Sequence, residues 1–121
     1  MTFEVLNRIA FVIFAALFVV LLFFPGLIYW LFALEGGPSV DFIARRAAML
    51  FAGLSVLALI TAETENDEVR QVVSLSFAVT MAALAILGLF ELVRGAAGIG
   101  ILLAVAVESV FAFYYLRFWR D

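Results

Sequence analysis

One residue in this sequence invites chemistry by its type and position. Glu108 is the single charge in a run that is otherwise uncharged from Gly95 to Leu116. It precedes Arg117 by nine positions, about 13 Å along a helix. An acidic group that deep in an apolar helix costs on the order of 3 kcal/mol to insert, so it is expected to face other protein. Two chemistries suit it. One is a carboxylate that exchanges a proton or pairs with a ligand. The other is a protonated carboxyl that hydrogen-bonds a neighbouring helix or another subunit. Ser55, Ser74, Ser76, Thr80, Ser109 and Tyr115 are candidate partners, with Arg45 and Arg46 if their helix sits at the right depth.

Nothing else in the chain joins Glu108 to make a catalytic set. The sequence contains no Cys, no His and no Lys. Thiol nucleophiles, sulfur or imidazole metal sites, His-ligated haem and Schiff-base chemistry are thereby excluded. Acid–base catalysis needs a pair of positioned titratable groups, and Glu108 has no evident mate. No enzymatic activity, metal or cofactor is expected. Glu63, Glu65, Asp67 and Glu68 lack the spacing of an EF-hand. They suit the positive end of a following helix, and a solvated loop is the expectation. A net charge of −3 leaves no basic surface for nucleic acid.

The elements that position Glu108 follow from composition. The chain has 121 residues, 68% hydrophobic and only 14% charged, whereas soluble domains are roughly half apolar and a quarter charged. A soluble domain of this length could not hide fourteen Phe. The bilayer is therefore an expected partner, and the fold class is all-α. A spanning helix needs about 20 apolar residues. The uncharged runs Ile9–Leu34, Ala47–Ala62, Gln71–Phe90 and Gly95–Leu116 set four spans.

Pro25-Gly26 breaks the first run into a helix of about 5–24 and a short interfacial or re-entrant helix of about 27–34. The short helix carries Tyr29 and Trp30, ring types that favour the membrane interface. A single kinked helix through Leu34 is the alternative. The second span reaches full length at about 41–62, with Arg45 and Arg46 snorkelling and Asp41 placed to pair with Arg45. The last two spans are expected at about 70–92 and 96–118. No small-x-small site follows the first helix, which reads as an uncleaved anchor.

Short links force neighbours to run antiparallel. The expectation is one transmembrane domain over residues 1–121, a four-helix up-down bundle with both termini on one side. Arg8, Arg70, Arg117 and Arg120 mark the terminal side, against Arg45, Arg46 and Arg94. Four against three leans toward termini in the cytoplasm, with the chain in the inner membrane. Arg117, Trp119 and Arg120 complete an interface anchor with Tyr114, Tyr115 and Phe118, and Glu91 pairs with Arg94 at a helix end.

Small residues let membrane helices approach closely. Steps of four connect Ala96, Gly100, Ala104, Glu108 and Ala112, and similar rows run through Ala44, Ala48 and Ala52 and through Ser74, Ala78 and Ala82. Those three helices are expected at the centre, with the first helix facing lipid or a partner.

The Phe24-Pro25 ending of the first helix and the run Ala44-Arg45-Arg46-Ala47-Ala48-Met49-Leu50 resemble small four-helix bacterial inner-membrane proteins of the DoxX-like type. The resemblance implies a four-helix bundle. Small multidrug transporters are similar in size and helix count, but carry their essential Glu in helix one rather than helix four. The expected role is an accessory, structural or assembly subunit that binds a larger membrane complex or forms a homo-oligomer. The alternative is a small proton-coupled transporter or channel built around Glu108.

Overall fold

The computed structural model describes all 121 residues. It contains five helices and no strand: α1 (Phe3–Phe23), α2 (Pro25–Phe32), α3 (Pro38–Thr61), α4 (Asp67–Val93) and α5 (Ile101–Arg120). Four of them, α1, α3, α4 and α5, are long and apolar enough to cross a membrane.

Local chemistry sets the ends. The Thr2 hydroxyl accepts from the Val5 N–H and the Asn66 side chain accepts from the Val69 N–H, which caps α1 and α4. The break after α1 falls at Phe24, whose N–H still reaches the Val20 carbonyl at 2.7 Å. Pro25 then opens α2, where its missing N–H costs nothing. α3 likewise opens on Pro38 after Gly37. α4 closes with Gly95 at φ 80°, the Ala96 N–H on the Glu91 carbonyl and the Gly95 N–H on Leu92. This is a Schellman ending, which only glycine adopts without strain.

Chain contacts divide the molecule into two compact units. The first holds Met1–Trp30 and Glu35–Glu63, and in it α1 packs antiparallel along α3. Phe3, Leu6, Asn7, Ala10 and Phe14 of α1 are buried, as are Ala44, Ala48, Ser55 and Ala58 of α3. Phe14 meets Phe51 with ring centroids 6.1 Å apart. The helix expected to show most of its surface to lipid or a partner buries residues between Phe3 and Phe14, and the small side of α3 accommodates the large ones among them.

The second unit holds Leu31–Leu34 and Thr64–Asp121, with α4 antiparallel to α5. Ser74, Phe77, Ala78, Met81, Ala85 and Gly88 are buried on α4. Ile101, Val105, Phe111 and Tyr115 are buried on α5. Val105 and Ile101 lie over Gly88, where an added Cβ would come within 2.8 Å of Val105 Cγ2. The Phe77 ring meets Tyr115 edge-on at 5.2 Å. In the first unit α3 supplies the small residues and α1 most of the large ones, whereas in the second α4 contributes both kinds.

Candidate functional site

Glu108 lies at the middle of the α5 contact stripe. Steps of three and four carry it into line with Ile101, Val105, Phe111 and Tyr115, all buried. Ala104, Glu108 and Ala112 are half-buried between them. α5 begins at Ile101, so Ala96 and Gly100 stand outside it, with Gly100 as its N-cap. The register set by Gly88 against Val105 and Phe77 against Tyr115 places Glu108 opposite Met81 to Ala85 of α4. That stretch has no side-chain donor.

The Glu108 carboxyl accordingly makes no hydrogen bond and no ion pair, and three of the candidate hydroxyls are engaged within their own helices. Ser55 donates to the Ala52 carbonyl, Ser76 to Val72 and Thr80 to Ser76, each within its own helix. Ser74 Oγ is fully buried and has no hydrogen-bond partner. No group of three acidic, His or Cys side chains converges on a point where a metal could bind.

The sequence reading overlooked Asn7. Its side chain is completely buried on α1, where Nδ2 donates to the Ala58 carbonyl at 3.1 Å and to Thr61 Oγ1 at 3.0 Å. The Ala62 N–H bonds Leu59, so Asn7 caps a carbonyl at the end of α3 from another helix. Outside this clamp Arg8 bridges Glu63 at 2.9 Å and Glu4 at 3.5 Å, both exposed pairs. A lone Asn one turn into an apolar helix, beside the run it terminates, was the available signal.

At the other end of the first unit the two expected anchor rings diverge. Trp30 is 78% exposed, whereas Tyr29 is buried and its hydroxyl donates to Asp41 Oδ1 at 2.9 Å. Burial and then the Asp41 carboxylate raise the Tyr29 phenol above its ordinary pKa, while the nearby Arg45 charge works against them. Asp41 therefore serves Tyr29 and forms no ion pair with Arg45. Arg45 and Arg46 are both exposed, with the Arg46 guanidinium 6.0 Å from the centre of the Phe42 ring.

The remaining sequence candidates are distributed as follows. Ala48 and Ala78 are buried, and Ala52 and Ala82 are half-buried. Arg117, Trp119 and Arg120 are exposed at the end of α5, with Arg117 5.9 Å from the Phe113 ring centre. Arg94 pairs with Glu91 at 2.9 Å. Comparison of the chain with protein-family models, curated proteins and solved structures finds no match.

Proposed function

We propose that this protein is a multi-pass inner-membrane subunit without catalytic machinery, which associates with a larger membrane complex or with further copies of itself. In this reading its four spanning helices form an up-down bundle with both termini in the cytoplasm. The observation that carries the reading is the carboxyl of Glu108. It sits in a candidate span, half-accessible, with no partner in its own chain. Hydrocarbon offers no hydrogen bond, so the complement comes from whatever the protein binds.

The test compares Glu108→Gln with Glu108→Leu. An amide keeps a donor and an acceptor of similar size, so the Gln variant is expected to retain its partners on purification in mild detergent. The Leu variant is expected to lose about 1–2 kcal/mol of association, or ~5–30-fold in affinity. The lone chain should melt no lower as the Leu variant, because no intrachain bond is lost. A wild-type chain that purifies only as a monomer overturns the subunit reading. Proton-driven flux in liposomes that vanishes in the Gln variant replaces it with the transporter reading.

Topology has its own test. Reporters fused at residue 1, between Glu63 and Arg70, and at residue 121 are expected to mark the same, cytoplasmic side. Opposite sides for the two termini would rule out four spans.

A further inference from the structure

We infer that the outward face of α3 binds an anionic phospholipid, with the phosphate held by Arg45 and Arg46 and an acyl chain lying over Gly53. The inference rests on the membrane reading, which membrane fractionation of the cell tests separately.

Three observations point to this occupant. First, the carboxylate placed one turn before Arg45 is engaged by the Tyr29 hydroxyl. Arg45 and Arg46 form no ion pair, so two adjacent guanidinium groups keep their donors for a group of the charge that a phosphate carries. Arg pairs suit phosphate oxygens because the planar fork can donate two parallel bonds.

Second, their depth fits a headgroup. Arg45 lies seven residues into α3, about 10 Å along the axis, with a stem long enough to reach the interface. The exposed Trp30 belongs to the same unit, and indole rings favour that level of the bilayer.

Third, the surface deeper in the membrane is shaped for a chain. Phe42, Arg46, Met49 and Gly53 follow one another at steps of four, three and four, with Val56 and Ile60 continuing the row, all exposed. A Cβ placed on Gly53 would meet nothing within 4 Å. Gly53 thus leaves an open shallow dent between Met49 and Val56, directly below the guanidinium groups. A charged pair above an apolar trough matches a phosphate esterified to a hydrocarbon chain better than it matches free phosphate.

The experiment is native mass spectrometry of delipidated protein, titrated with phosphatidylglycerol or phosphatidylcholine of identical chains. Phosphatidylglycerol is expected to bind ~10–30-fold more tightly, from about 1 kcal/mol per Arg at the surface. The preference should disappear in Arg45→Gln/Arg46→Gln and persist in Arg117→Gln/Arg120→Gln. Arg45→Lys/Arg46→Lys keeps the charge and should keep much of the preference, which separates lost binding from lost folding. Gly53→Leu should weaken phosphatidylglycerol without altering the charge. Equal retention of the two lipids, or a preference intact in the Arg45→Gln/Arg46→Gln variant, overturns the inference. Displacement of the lipid by millimolar inorganic phosphate overturns it too, by showing a phosphate site without a lipid.

Discussion

Replacing Gly100 with Ala is expected to destabilise the protein by at least the ~1–3 kcal/mol typical of overpacking, although it adds a single methyl. The Cβ would collide with the Leu31 carbonyl oxygen and lie 3.0 Å from its carbon. No side-chain rotamer relieves that contact, because the obstacle is backbone. The neighbouring glycine is tight as well, since a Cβ on Gly98 would meet Ala33 Cβ at 2.8 Å while the Gly98 N–H holds the Phe32 carbonyl at 2.7 Å. Gly53 provides the control. It lies inside α3 with open space around it, so Gly53→Ala should leave stability unchanged or raise it by up to ~1 kcal/mol through helix propensity. Thermal unfolding in detergent distinguishes the two. Equal melting temperatures for the two Ala variants would show that the α4–α5 turn is not the close approach described.

Asn7→Leu should be the second large loss, about 1–3 kcal/mol, even though the replacement has the same branching and greater hydrophobicity. The change removes both donors to α3 and strands the Ala58 carbonyl in a buried site. Thr61 retains its own bond to the Leu57 carbonyl, so the effect concentrates on one group. A double-mutant cycle with Thr61→Val isolates the side-chain bond. By contrast Arg8→Ala removes two exposed ion pairs, each worth about 0–1 kcal/mol. An Asn7→Leu protein that melts with wild type would remove the clamp from the account of how α1 and α3 hold together.

The helices were legible in the sequence because charge and Pro interrupt apolar runs, and the Pro25 break and the four long apolar helices appear where those signals stand. Helix ends were harder. Sequence placed the third span from residue 70, yet Asn66 caps the helix three residues earlier. The fourth was expected from residue 96, but Gly95 closes α4 and turns the chain, and α5 starts only at Ile101. Extending a row of small residues back through Ala96 assumed a helix that the glycines interrupt. The Glu108 position was legible from composition alone. Its lack of a partner was not, because it depends on the register that sets Met81 to Ala85 opposite it. Tyr29 was read as an interface ring from residue type, whereas its orientation depends on Asp41, twelve residues away.

The joint between Leu31–Ala33 and Gly98–Gly100 also bears on the order in which the protein can be made. α2 ends on Ala33 at φ 56°, and the Phe32 carbonyl at that end is met by an N–H more than sixty residues downstream. A ribosome delivers the α1–α3 pair, with Asn7 already able to find Ala58, well before it delivers Gly98. Folding that proceeds from the N-terminus during synthesis therefore completes the first hairpin while the last turn of α2 still lacks its cap. That turn waits, with unmet carbonyls, for the α4–α5 connection to emerge. The interval is a distinct stage of biogenesis, and it closes when the two glycines arrive.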